Sequence, residues 1–367
     1  MNVNYYEKYG LKEVINASGK MTVLGVSKYS DEVIEAQKFG GQHFFEMDQL
    51  AQKTGEYVAQ LIGTEAAHIV SSASAGIAQT VAGVIGQGNS FHLYHPYSEK
   101  ITKREIIVPK GHNVDYGTPV EVMVAVGGGK MVEAGYANTC SPAHLEDMIT
   151  EETAAILYIK SHHTVQKSML SVEEAAQVAH KNRIPLILDA AAEEDLAKYI
   201  NDGADLVIYS GAKALEGTSS GLVIGKKQLV EWVSQQSKGI GRAMKIGKEN
   251  ILGLTAAIEK YLRDGSESGE QMKERLKPWV EELNEISTIC ASVVQDGAGR
   301  EIYRAKVQID ESARMNAKQV IEKLKSGAPA IYTREYQANN GIIEFDIRAV
   351  NQQEMKQIWY RLKEIMD

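Results

Sequence analysis

ILYIKSHHTVQKSMLSVEEAAQVAHKNRIPLILDAAAEEDLAKYINDGADLVIYSGAK, residues 156–213, decides the fold class by alternating strand and helix signals. Ile156 to Ile159 is a short apolar run, and Ser171-Val172-Glu173-Glu174 is a capping box that opens a helix running to about Lys181. Pro185 to Leu188 is a second apolar run, ending at Asp189. Glu193 to Ile200 reads as a helix closed near Gly203, and Leu206 to Tyr209 is a third buried strand leading to Ser210-Gly211-Ala212-Lys213. Strand, helix, strand, helix, strand makes two βαβ units, so the spacing predicts an α/β fold with a mostly parallel sheet.

Upstream, Ala67 to Val70 reads as a strand feeding the small-residue turn Ser71-Ser72-Ala73-Ser74-Ala75-Gly76, after which Ile77 to Ile85 reads as helix. Ile106 to Val108 and Val120 to Val126 read as further strands. Downstream of Gly221 to Gly225 a long helix begins at about Ile251. The last hundred residues differ in texture: helices at about Gly269 to Glu285 and Ala313 to Leu324, and strands near Ala291, Ile302 to Ile309, Ile331 to Tyr336 and Ile342 to Ile347. A final helix carries Met355, Ile358, Trp359, Leu362 and Ile365 as an apolar stripe. These patterns predict an N-terminal segment (1–45) packing near the active site, a large domain (46–250) and a small α+β C-terminal domain (251–367). No repeat of fixed period stands out.

Composition excludes several function classes. The 367 residues hold 40 Lys+Arg against 48 Asp+Glu, a net charge of −8. An acidic chain is a poor match to affinity built on phosphate neutralisation along a nucleic acid. Cys140 and Cys290 are the only cysteines, with no zinc-type spacing, so neither a metal site nor a disulfide framework is expected. The N-terminus lacks a secretory pattern and the tract Ala66 to Gly86 is too polar to span a bilayer; a cytoplasmic protein without a membrane segment is expected.

The residues that suggest chemistry sit where parallel sheets place their ligands, at the carboxyl ends of strands: Asp189 after one strand and Lys213 just past the next. An amine and a carboxylate converging there suit pyridoxal 5′-phosphate, the lysine forming a Schiff base and the aspartate holding the pyridine nitrogen protonated. A phosphate anchor is also needed. The turn carrying Ser74, Ala75 and Gly76 at a helix N-terminus supplies N–H groups, hydroxyls and a favourable dipole, and Ser210 adds a hydroxyl. Each piece alone has a bland reading, as a helix cap, a loop lysine or a small-residue connection; the order of the three on successive sheet units is what carries the assignment.

The stretch GADLVIYSGAKALEGTSSGLVIGKKQLV, residues 203–230, resembles the lysine segment of the selenocysteine synthase (seryl-tRNA selenium transferase) family. Asn16-Ala17-Ser18-Gly19, PLILDAAAEEDL, GIGRAMKIGKENILGL and AIYTREYQANNGIIEFDIRAV resemble further segments of it, so the likeness runs from about residue 10 to 350. It implies the fold-type I, aspartate aminotransferase-like architecture and enzymes that assemble as homodimers or larger homo-oligomers. The chain is expected to lack that family's N-terminal tRNA-binding domain. KSHHTVQKSMLSVEEAA and GHNVDYGTPVEVM are instead similar to a shorter branch, the D-glucosaminate-6-phosphate ammonia lyases. That resemblance implies a small phosphorylated amino sugar acid as substrate: 2-amino-2-deoxy-D-gluconate 6-phosphate converted to 2-keto-3-deoxy-D-gluconate 6-phosphate and ammonia. Competing expectations are a selenium transferase or a cysteine or serine β-lyase activity, or a non-catalytic pyridoxal phosphate-binding protein.

On this reading Lys213 takes the Cα proton and Asp189 supports the ring nitrogen. His163, His162 and His112 are the candidates for protonating the leaving C3 hydroxyl. His112 resembles the residue stacked on the cofactor ring, and Gln166 is a further candidate near His163. Arg334 resembles the arginine that holds the substrate carboxylate, with Arg348 either assisting or pairing with Glu344 or Asp346. The basic run Arg242, Lys245 and Lys248 is expected to reach a phosphate.

Overall fold

Contacts divide the chain into a larger unit, Tyr29–Gly265, and a smaller one built from Met1–Lys28 and Ser266–Asp367. The structure is a computed structural model that describes residues 3–161, 163–296 and 300–367. Among the described residues the strands are β1 (Val14–Ala17), β2 (Ala66–Val70), β3 (Glu105–Pro109), β4 (Lys130–Ala134), β5 (Thr153–Ile159), β6 (Leu186–Asp189), β7 (Leu206–Ser210), β8 (Gly221–Gly225), β9 (Ile289–Gln295), β10 (Tyr303–Ile309), β11 (Ala330–Thr333) and β12 (Ile342–Phe345).

In the larger unit, seven strands form one sheet in the order β2-β8-β7-β6-β5-β3-β4, parallel throughout except for β8. The strands are apolar on both faces because helices cover both. Along β7, Val207 and Tyr209 enter one core and Leu206 and Ile208 the other; β5 and β6 divide the same way through Ile156 against Leu157 and Leu188 against Ile187. Each such side chain contributes roughly 1.5–3 kcal/mol by leaving water. The expected capping box is present: Ser171 Oγ accepts from the Glu174 N–H at 3.1 Å, and Glu174 Oε2 accepts from the Ser171 N–H at 2.7 Å, opening the helix Val172–Lys181.

The smaller unit holds an antiparallel sheet, β12-β10-β9, and a parallel pair, β1 with β11. Its core joins Ile15 and Ala17 of β1 to Val307, Phe345 and the stripe Met355, Ile358, Leu362 and Ile365 of the helix Gln352–Met366. The N-terminal strand and the C-terminal hundred residues thus share one core.

Three expectations change. Val120–Val126 is a helix rather than a strand: Val120 and Val124 are buried one turn apart, and the parallel pair β3 and β4 needs a crossover between its members. Burial of one face overrides the β-branched alternation. Only Lys198–Asn201 is helical within the segment expected as helix from Glu193, because Asp195 Oδ1 accepts the N–H groups of Ala197 and Lys198, both at 2.9 Å, and caps the helix late. The division expected near residue 250 falls inside the unbroken helix Lys248–Asp264, which stays with the larger unit, while residues 29–45 also group there and residues 1–28 do not. No described helix is long and apolar enough to cross a membrane.

Candidate active site

Six strands, β2 to β7, run in one direction and deliver their carboxyl ends to one edge of the sheet, the edge where open α/β folds bind ligands. Asp189 closes β6. It is 7% exposed, and its Oδ1 accepts from the Ala191 N–H at 3.0 Å. Burial raises its pKa to about 6, against the lowering effects of that hydrogen bond and of the Lys213 ammonium. Lys213 lies in the turn following β7, three residues after Ser210, near enough for its charge to act on Asp189. The structure therefore brings the predicted amine and carboxylate together.

The third predicted part follows β2. Ser72 caps the helix Ala73–Gly86, its Oγ accepting the Ala75 N–H at 3.0 Å while its carbonyl accepts the Gly76 N–H at 2.9 Å. The amides of Ala75 and Gly76, expected to face a phosphate, are thus taken up within the turn, and Gly76 also lets the helix approach Ile208, whose Cγ2 would lie 2.9 Å from a Cβ. The open donors of the first turn are the N–H groups of Ala73 and Ser74 and the Ser74 hydroxyl. Strand β8 runs opposite to its neighbours, so its first residue is at this same edge. That residue must be Gly221, because a Cβ there would stand 2.5 Å from the Ser72 carbonyl carbon and 2.8 Å from the Ala73 nitrogen.

His112 follows β3 in the short turn Lys110–His112 and is fully buried. Its ring meets Tyr158 edge-on at 4.4 Å, its Nδ1 accepts from the Ile159 N–H at 3.4 Å, and burial lowers its pKa to about 4. It is a neutral ring at pH 7, which suits packing and not proton donation as an imidazolium. His163 is exposed in the loop after β5, its N–H donating to Ser161 Oγ at 3.2 Å. His162 lies outside the described residues. Gln166 braces that loop, accepting from Lys160 Nζ at 2.8 Å and donating to Thr164 Oγ1.

Among the basic run, Lys248 is committed elsewhere: its Nζ donates to the carbonyls of Gly40 and Gly41 at the end of the helix Asp31–Gln42. Arg242 and Lys245 are exposed. Arg334 belongs to the smaller unit. It donates from Nη1 to the Ser18 carbonyl at 3.4 Å, stands 3.8 Å from Glu344 and lies over the Tyr336 ring. The Asn16 side chain ties the Ser18-Gly19 turn beside it, accepting from the Ser18 N–H at 3.0 Å and donating to the Gly19 carbonyl at 2.8 Å. Arg348 is held by two hydrogen bonds to buried Asp346, at 2.9 and 2.8 Å, the pairing anticipated as one of its two roles.

Sequence reasoning did not single out Tyr116. Its phenol lies 3.3 Å from Ser74 Oγ, and both burial and the Asp189 carboxylate raise its pKa. The Asp115-Tyr116-Gly117 turn is visible in the sequence, but not where its ring reaches.

Residues 14–328 match the L-seryl-tRNA selenium transferase family. The chain belongs to that family. Among its relatives, the D-glucosaminate-6-phosphate ammonia lyase of Salmonella typhimurium (strain 14028s / SGSC 2262) is 44% identical, across 100% of this chain and 99% of the relative. A solved structure of D-glucosaminate-6-phosphate ammonia-lyase matches at 45% identity with a TM-score of 0.94, covering 100% of this chain and 99% of that one. A NifS-like protein shares the fold alone, at 16% identity and a TM-score of 0.57, with 97% and 99% covered. The family fold is therefore fold-type I, and pyridoxal 5′-phosphate is its expected cofactor. This site fits that group. Asp189 is a buried carboxylate whose ionisation is poorly compensated and would be matched by a protonated ring nitrogen, Lys213 is within electrostatic reach, and a glycine-lined helix start offers donors to a dianion.

Proposed function

We propose that the chain is a pyridoxal phosphate-dependent ammonia lyase acting on 2-amino-2-deoxy-D-gluconate 6-phosphate, giving 2-keto-3-deoxy-D-gluconate 6-phosphate and ammonia. The observation that carries this reading is the Asp189–Lys213 pair at the sheet edge, in a chain 44% identical along its whole length to a lyase of that name. The reaction is redox-neutral, and the water lost with the C3 hydroxyl is recovered when the nitrogen is hydrolysed away. No second substrate is required.

Pyridoxal phosphate, when bound, supplies an electron sink for the Cα carbanion. Lys213 would hold it and, once displaced by the substrate amine, take the Cα proton at Nζ. Asp189 would hold the ring nitrogen of that group and keep it protonated, since a carboxyl buried this deeply is ionised most readily when a cation faces it. Ser74 and Ser210 contribute hydroxyls to cofactor binding. To His112, neutral and packed, we assign the shaping of the ring site, and to His163 the protonation of the departing hydroxyl. Arg334 and Lys245 answer the substrate's carboxylate and phosphate, with His162 in the same substrate-binding role.

We further place the protein in the cytoplasm as a homodimer or larger homo-oligomer, without nucleic-acid or membrane partners. Exposed Ile34, Phe39 and Phe44, the last at 99%, support self-association. The unpaired Cys140 and Cys290 suit a reducing compartment.

The deciding experiment incubates the purified protein with 2-amino-2-deoxy-D-gluconate 6-phosphate and follows ammonia and 2-keto acid. Release of both is expected, and borohydride should fix the chromophore on Lys213 and not on a Lys213→Ala variant. Turnover of serine or cysteine with none of the phosphorylated compound would overturn the reading in favour of another β-elimination.

A further inference from the structure

One connection, from the end of β3 at Pro109 to the helix Val120–Val126, carries both His112 and Tyr116. Its geometry is set locally: Asp115 Oδ1 accepts the Gly117 N–H at 2.7 Å, Asp115 and Pro119 form an antiparallel bridge, and the Val120 N–H reaches the Val114 carbonyl at 3.2 Å. Gly117 takes φ +116°, a backbone state that an L side chain rarely adopts. The turn therefore presents Tyr116 at a defined position, half-buried, against the first turn of the helix Ala73–Gly86.

The contact there is loose. The Tyr116 and Ser74 oxygens are 3.3 Å apart, longer than the 2.7–2.8 Å usual for a mutual O–H···O bond. Two hydroxyls at that separation, beside the open amides of Ala73 and Ser74, are spaced to donate to one shared acceptor. Burial and the nearby Asp189 keep the phenol protonated at neutral pH, so it is a donor.

We propose that Tyr116 belongs to the anion cradle for the cofactor phosphate, its phenolic O–H and the Ser74 O–H acting as paired donors together with the amides of Ala73 and Ser74. The assignment rests on the reading of the site as a pyridoxal phosphate site and gives the cradle a wall from outside the helix.

The test compares pyridoxal phosphate with pyridoxal, which lacks the phosphate, as ligands of the full chain resolved from its cofactor and followed by absorbance. Tyr116→Phe should raise the dissociation constant for pyridoxal phosphate about tenfold or more and leave that for pyridoxal within about twofold. Ser74→Ala should show the same phosphate-selective loss. A Tyr116→Phe protein with unchanged affinity for pyridoxal phosphate overturns the proposal, as does an equal loss for both ligands, which would place the phenol against the ring or the fold. A Ser74→Ala variant without phosphate selectivity overturns it as well. Wild-type protein that bound neither ligand would overturn the underlying cofactor reading, a result separate from any loss confined to the variants.

Discussion

Asp189 carries a cost in the cofactor-free protein that its sequence position alone does not reveal. With its pKa raised to about 6 from 3.8, the folded state favours the protonated carboxyl. Its stabilising contribution is complete below about pH 4 and is lost as pH rises through 6. Asp189→Asn should therefore make the cofactor-free protein more stable at pH 7, by on the order of 2–3 kcal/mol, in urea denaturation, with the difference gone near pH 4. Turnover should be abolished in the same variant. A cofactor-free Asn variant less stable than wild type at pH 7 would show that Asp189 is already matched by a partner charge. Asp189 and Lys213 were legible because each ends or closely follows an apolar run. Tyr116 was not, since nothing in Asp-Tyr-Gly says that its ring lies against a serine 42 residues earlier.

At the scale of elements, the strand and helix order from 156 to 213 survives almost intact, and the exceptions have identifiable causes. Val120–Val126 alternates like a strand yet forms a helix because the chain must cross between two parallel strands there. Gly221 shows the reverse dependence, an element boundary decided by a neighbour. A methyl group at this position would strike the backbone of Ser72 and Ala73, which cannot swing aside like the end of a flexible side chain. Gly221→Ala should cost roughly 1–3 kcal/mol and weaken pyridoxal phosphate binding together with stability, read by thermal melting and cofactor titration. An alanine variant that melts and binds as wild type would mean that β8 can retreat from the turn.

Across the molecule, buried titrating groups set how stability varies with pH. His68 and His112 are both driven down to about 4 from 6.5, burial being the first cause of each. The unfolded chain takes up those protons first, so folding stability falls as pH drops from 6.5 towards 4, on the order of 3 kcal/mol for each histidine, with Asp189 offsetting part of the loss. Denaturation at pH 7 and pH 5 should show wild type losing stability between them, and His68→Gln losing less. An equal loss in both would remove His68 as a source. The net charge of −8 says little about such local balances: in the smaller unit, Arg304 is buried between Asp296 at 2.8 Å and Asp346 at 3.1 Å, and Asp346 also holds Arg348.

The sequence by itself determined the alternation of elements, the caps, and the placement of Asp189 and Lys213 at consecutive strand ends, because these depend on hydrophobic periodicity and on neighbours a few residues away. Tertiary structure decided which first-turn amides stay open, that Lys248 caps a distant helix while Arg242 and Lys245 remain exposed, and that Tyr116 meets Ser74. Those outcomes depend on strand order and on backbones far apart in sequence approaching within a few ångströms, where sterics and desolvation act between partners that local pattern cannot pair.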